Sequence, residues 1–466
     1  MRAAVNFTPA NPPMESTTGA TTAELNEHNT RSKSTRSRPA STTPPRPSIH
    51  DVRLEAAISE DLLPHHGWAN AALIGALWAL LLCLYRGEEL AAFAASHLSP
   101  RLLAEGAAAV AALGLAFQVL ALLALVWLPL ASPSSRVVEA LGGASLLLAP
   151  VLFCRFYCND WPFLQKLALL MQASVVAMKF ASVCAVNRAL AAQQAARGPR
   201  TAAVADGPPL RGELRGRAWA RGSAPYPAQR TAASFARFLF SPSLVYDPHP
   251  PSFDAILPGY LAEKVASAAV LVTLAIFVHQ RFLAPLWEGA VDKPFAAVFL
   301  EAVVPLTAVS LLCWLAAFEA ITNASAELVG FADRASYEKW WQSSTFSEFS
   351  RTWNTAVHVW LRTHIFEALG EGTLALIATF LVSIAVHELL LWGAVAGWAR
   401  PWLSILSAAQ LPLIPLLRLV PGFKSKRLGN LFFWAGLSAG MALVAVLYAR
   451  DAAAYERAQH PRGVFG

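Results

Sequence analysis

Charge is scarce in this chain. Of its 466 residues, 14% are Asp, Glu, Lys or Arg and 55% are hydrophobic, with a positive mean hydropathy of +0.43. An average soluble domain carries about 25% charged residues, so an ordinary soluble enzyme is excluded. At roughly 150 residues per domain the length alone suggests three domains; long apolar runs point instead to a single membrane bundle. Cysteine is scarce too. Cys83, Cys154, Cys158, Cys184 and Cys313 all lie in or beside apolar runs, which reads as buried thiols within helices and implies no disulfide framework. Cys154 and Cys158 are four apart with no second pair, so a zinc site is not expected. No apolar stretch follows the first residues, which argues against a cleaved signal peptide. A Gly-Xaa-Ser-Xaa-Gly elbow, phosphate-binding glycine loops and metal-ligand spacings are missing as well. No internal repeat is visible.

The long apolar runs are what the sequence has in quantity. Nine candidate spans are read at 67–85, 102–130, 137–156, 163–186, 260–287, 295–323, 374–399, 402–420 and 430–448, each long enough to cross a bilayer as a helix. Residues 1–66 form a tail rich in Ser, Thr and Pro, too poor in apolar surface to offset chain entropy and so expected to be disordered. Residues 67–449 form the core, with an Arg-rich loop at 187–258 and a polar, Trp-rich segment at 331–366. A short tail occupies 450–466. The net charge of +7 resides mostly in loops, where the positive-inside rule accounts for it and nucleic acid need not be invoked. Lys and Arg on alternate loops place the N-terminus, the Arg-rich loop and 331–366 on the cytosolic side and the C-terminus in the lumen.

Two places can carry chemistry. In the seventh span His387 and Glu388 interrupt an otherwise apolar run, with Ser383 one turn earlier. Ionisable groups at that depth are costly and by default mark a site; a neutral imidazole is the natural general base near neutral pH. The bland alternative is a helix–helix hydrogen bond. Upstream, Phe349, Trp353, Val357, Trp360 and Leu361 recur at helical spacing, predicting one amphipathic helix within 346–366. Asn354 and His358, four apart, share a stripe of it. The tryptophans also read as interfacial anchors. These features suggest a group transfer assisted by one base within the membrane, to a lipid-soluble acceptor.

The motifs FADR-x-x-Y-x-x-WW (from Phe331), SRTWN-x-x-VH (Ser350–His358) and VHE (Val386–Glu388) resemble the sterol O-acyltransferase branch of the membrane-bound O-acyltransferases. The likeness extends to FARFLFSPSLVYDPHP and GYLAEK upstream and to YERAQHP downstream. It implies an all-α, multi-pass helix bundle in the endoplasmic reticulum membrane that joins an acyl group from acyl-CoA to a sterol hydroxyl. His387 would be the base, and Asn354 would orient reactants or stabilise the oxyanion. Tyr337, Trp340, Trp341, Arg351 and His358 would bind acyl-CoA, with the basic run Lys424–Arg427 beside them. Acyl-CoA is then a co-substrate, and no cofactor or metal is expected. The expected partners are acyl-CoA, a sterol or other lipid acceptor, the bilayer, and further copies of the chain in a dimer or tetramer, without nucleic acid. The chain departs from the family's Phe-Tyr-x-Asp-Trp-Trp-Asn at Ser336, Lys339 and Gln342, and has Phe180 where the family often has histidine after Met-Lys. Diacylglycerol O-acyltransferases share the histidine and the tryptophan pair but usually show FGDR and lack the GYLAEK-like start, which favours a sterol. A transporter with a His–Glu proton relay is the alternative from another class; it would require matched broken helices or pseudo-repeats.

Overall fold

A computed structural model describes residues 136–158, 161, 163–197, 231–248, 250, 256–395, 400–409 and 426–459, with isolated positions at 76, 77, 116, 119 and 123. Every regular element among them is helical, as expected of an all-α bundle. Six helices are long and apolar enough to cross a membrane, and they match six of the nine expected spans. The expected spans at 67–85 and 102–130 lie outside the described residues apart from five isolated positions, and so does most of 402–420, of which 402–409 is helical.

Helix α1 (Arg136–Tyr157) and helix α2 (Phe163–Arg197) form a hairpin. Glu139 in the first turn of α1 pairs with Arg188 near the end of α2, closing the open end of the hairpin. Val151, Cys154 and Leu170 make its interior, and Leu390 and Ala394 of α8 (Thr373–Ala394) pack into it. Gly393 allows this close crossing: a Cβ there would lie 3.0 Å from Leu170 Cδ1 and 3.1 Å from Val151 Cγ1. Arg155 donates to the Val395 carbonyl at 2.9 Å, satisfying one of the orphan acceptors at the end of α8. Helix α8 ends at Ala394, and residues 396–399 of the seventh expected span lie outside the described residues.

Helix α3 (Ala232–Phe240) is capped by the Thr231 side chain, which accepts from the Ser234 amide. Its other end meets a charge. Lys179, at the middle of α2 and 2% exposed, donates to the carbonyls of Phe238, Ser241 and Ser243 at 2.6–2.8 Å. All three ammonium hydrogens are thereby used, which makes a buried lysine tolerable.

Helices α4 (Pro258–Glu288) and α5 (Phe295–Leu328) are each interrupted by a π-turn, at His279–Leu283 and Leu315–Ile321. Helix α9 (Lys426–Gln459) packs Ala442 and Val446 against Ala302 and Val303 of α5. Between α5 and α8 the chain forms a 3-10 turn, Trp340–Gln342, and two short helices, α6 (Phe346–Thr352) and α7 (Thr355–Leu361).

Candidate functional site

The expected single helix over 346–366 is broken at Asn354. The cause is non-local. The stretch at 336–338 pairs with the chain entering α7: the Glu338 amide donates to the Thr352 carbonyl at 2.7 Å, and the Thr355 amide to the Ser336 carbonyl at 3.1 Å. These bonds remove two groups that an unbroken helix would use. Asn354 takes the N-cap position of α7, with its side chain accepting from the Val357 amide at 3.1 Å. Asparagine suits that place because its short amide substitutes for the missing helical acceptor. Adjacency survives the break, since the Asn354 carbonyl accepts from the His358 amide at 3.1 Å. The cap also orients the side chain. Oδ1 must face Val357, so Nδ2 is the group left to donate elsewhere.

Tyr337, Trp340 and Trp341 lie in a cluster of aromatic rings rather than on a solvent face. Trp340 and Trp341 are 2% and 1% exposed, packed with Trp314 of α5 and Phe433 and Trp434 of α9, and Phe349 and Trp353 lie against them. Polar groups from α9 hold the turn. Asn430, itself 2% exposed, donates to the carbonyls of both Trp341 and Ser343 at 2.8 Å, and Trp434 Nε1 donates to Trp341 at 3.1 Å. Gly429 admits the contact; a Cβ there would sit 2.9 Å from Ser344 Cβ. From α5, Glu319 accepts from the Tyr337 hydroxyl at 2.9 Å and from Lys264 Nζ at 2.7 Å. Burial, with the Glu319 carboxylate beside it, pushes the Tyr337 phenol well above its ordinary pKa, so it stays a donor. Arg351 is exposed on α6, and His358 is half-buried on α7. Of the three departures from the family signature, Ser336 is buried, Lys339 is exposed and Gln342 is half-buried.

His387 is exposed on α8, and its Nδ1 lies 2.7 Å from the Ser383 carbonyl. A carbonyl can only accept, so Nδ1 carries the hydrogen. In the neutral ring Nε2 is then the basic nitrogen. Glu388 turns elsewhere. Its carboxylate accepts from the Ser404 amide and hydroxyl, both at 2.8 Å, and from the Tyr448 hydroxyl. Neighbours on a helix point about 100° apart, and here one side chain joins α8 to residues 402–409 and α9 while the other stays exposed. The adjacent His and Glu are not a bonded pair.

Several motif residues outside this set turn out to form the frame. Arg334 of FADR pairs with Glu327 at 2.8 Å, each side chain 2% exposed, and also donates to the Phe331 and Asn323 carbonyls. Lys264 of GYLAEK pairs with Glu319, and its ammonium lies 5.3 Å from the centre of the Tyr260 ring. The sequence reading missed Glu319, Asn430 and His364. His364 lies in the π-turn Arg362–Phe366 that continues α7, with Nε2 2.8 Å from Ser182 Oγ of α2. Burial pushes its pKa down to about 4. Trp360 Nε1 donates to the Met178 carbonyl at 2.9 Å, one helical turn before Ser182. Helix α7 is thus fastened to α2 at two points.

Residues 265–449 match the family model "MBOAT, membrane-bound O-acyltransferase family". The chain is similar to Probable sterol O-acyltransferase 1 of Schizosaccharomyces pombe, 31% identical over 239 residues, 49% of this chain and 44% of the relative. It is 29% identical to Sterol O-acyltransferase 2 of Homo sapiens over 248 residues, 50% of this chain and 46% of the relative. It is 31% identical to Diacylglycerol O-acyltransferase 1-2 of Oryza sativa subsp. japonica over 238 residues, 48% of this chain and 50% of the relative. The chain spans about half the length of the curated relatives it matches. Motifs, helices and matched residues agree in their likeness to the membrane-bound O-acyltransferase family, whose model matches residues 265–449.

Proposed function

We propose that this protein transfers a fatty acyl group from acyl-CoA to the hydroxyl of a sterol, with His387 as general base. The observation that carries the reading is the hydrogen bond of His387 Nδ1 to Ser383, which leaves Nε2 as the basic nitrogen on a helix otherwise without exposed charge. In the reaction Nε2 takes the proton of the acceptor hydroxyl as its oxygen attacks the thioester carbonyl carbon. The carbonyl oxygen becomes an oxyanion, to which Asn354 Nδ2 donates. Collapse breaks the C–S bond. The imidazolium returns the proton to the departing thiolate, giving an ester and free CoA. Asn354 cannot take up a proton itself, so it fits only the orienting and oxyanion role.

The acyl donor reaches the Tyr337–Trp341 turn, with the exposed Arg351, Lys426 and Arg427 supplying positive charge for the CoA phosphates; Lys424 of the same basic run lies outside the described residues. The same reading has this end of the bundle facing the cytosol in the endoplasmic reticulum membrane, with the protein a dimer or tetramer.

A diacylglycerol acceptor is the second reading, favoured by the rice relative's name and its equal identity. The FADR and GYLAEK motifs speak less for the acceptor than their sequence suggests, because Arg334 and Lys264 serve as buried ion-pair partners. Membranes carrying the protein, given labelled acyl-CoA with sterol and diacylglycerol in parallel, should form labelled steryl ester. Triacylglycerol alone would move the assignment to the second acceptor. If folded protein formed neither, the transferase reading would fail.

A further inference from the structure

Glu319 sits in the π-turn Leu315–Ile321 of α5, and the mechanism above makes no use of it. One carboxylate oxygen is held by Lys264 from α4 at 2.7 Å; the other takes the Tyr337 hydroxyl at 2.9 Å. Five residues earlier on the same helix, Trp314 Nε1 donates to the Trp353 carbonyl at 3.2 Å. Helix α5 therefore grips the segment on both sides of the tryptophan turn and α6, at Tyr337 and next to Asn354. In an α-helix, residues five apart point about 140° from each other. In the π-turn the Thr322 amide bonds to the Ala317 carbonyl five residues back, so residues at this spacing come to lie nearly over one another. The extra residue brings Trp314 and Glu319 to the same segment.

We propose that Glu319 is a positioning residue for the acyl donor, holding Tyr337 and the tryptophan turn in the register that binds acyl-CoA, with Lys264 as its counter-charge. This rests on the acyl-CoA reading above. Tyr337→Phe removes only the hydroxyl and leaves the ring stack in place; Glu319→Gln removes the charge but keeps the shape.

The test uses the purified full-length protein in nanodiscs, with a non-hydrolysable acyl-CoA analogue as probe. Both variants should bind the analogue roughly tenfold more weakly, as expected for losing one hydrogen bond to a charged group. KM for acyl-CoA should rise in parallel, with KM for the acceptor near wild type; the thermal midpoint should stay near wild type in Tyr337→Phe, whereas Glu319→Gln, which takes the counter-charge from the buried Lys264, should lower it. The double variant should be little worse than either single one, because the two groups act as one contact. Wild-type analogue binding by Tyr337→Phe, or kinetic losses in that variant that merely follow a lowered midpoint, would overturn the inference. Should Glu319→Gln fail to fold, Tyr337→Phe carries the test alone. If the wild-type protein did not bind the analogue, the acyl-CoA reading would itself be lost, which is a different outcome.

Discussion

Trp341 is 1% exposed, stacked among aromatic rings, and its carbonyl takes hydrogen bonds from two residues of α9. His387 is exposed, and its Nδ1 bonds to a carbonyl of its own helix one turn back. The tryptophan turn is thus held by distant parts of the chain, whereas the histidine is oriented locally. Substitutions in the turn must therefore disturb stability along with function. At His387 the two separate. Trp341→Ala, an obvious probe of acyl-CoA binding, would remove a core side chain at a cost of about 3–5 kcal/mol, so a raised KM there would be ambiguous. Tyr337→Phe is the cleaner probe.

The largest effect should come from His387→Ala, which is expected to lower kcat about 10²–10⁴-fold with thermal stability within about 0.5 kcal/mol of wild type. His387→Gln, still able to hydrogen bond, should be as inactive; retained activity in that variant would leave His387 with a packing role only. Next comes the frame. Arg334→Ala leaves the buried Glu327 carboxylate unpaired and should cost about 3–5 kcal/mol, read as a lowered thermal midpoint and poor yield. A midpoint near wild type would mean that the pair is not structural.

The third effect is a dependence on pH. His364 is neutral in the folded protein down to about pH 4, against an ordinary value of 6.5. The unfolded chain therefore binds the proton first as pH falls. The stability present above about pH 6.5 is lost progressively towards pH 4, on the order of 3 kcal/mol in total. His364→Gln should flatten this part of the stability profile; an unchanged profile would assign the effect to other groups. The smallest effect contrasts two glycines of α9. Gly429→Ala pushes a Cβ to within 3.0 Å of the Ser344 carbonyl oxygen, so the turn must shift, at about 1–3 kcal/mol. Gly440→Ala meets nothing within 4 Å and should be neutral or stabilising by up to about 1 kcal/mol. Equal midpoints for the two variants would argue against a tightly held turn.

How much of this was legible in the sequence follows the same division. Six apolar runs announced their helices, because length and hydropathy are local properties. The ends were less visible: α2 continues to Arg197 and α9 to Gln459, where polar residues extend the helices past the apolar windows. The residues of the tryptophan turn were found by resemblance, but what holds them was not. Asn430 is 89 positions from Trp341, and Ser182 is 182 from His364; no spacing rule reaches that far. The break at Asn354 was hidden for the same reason, since it depends on backbone pairing with 336–338. His387 and Glu388 read as a pair because they are neighbours in sequence, although helical geometry sends them to different surroundings.

The buried Lys179 bears on how the protein is made. Its three acceptor carbonyls lie 59 to 64 residues further along the chain. A lysine at the centre of an inserting helix costs about 2.5–3.5 kcal/mol. At a synthesis rate of roughly 5–20 residues per second, about 3–12 seconds pass before the ribosome delivers the segment that relieves it. During that interval the ammonium must draw on water, lipid headgroups or the translocation machinery. The docking of α3 onto α2 is therefore what solvates this charge, and a chain stalled before residue 243 would lack at least one of its three acceptors.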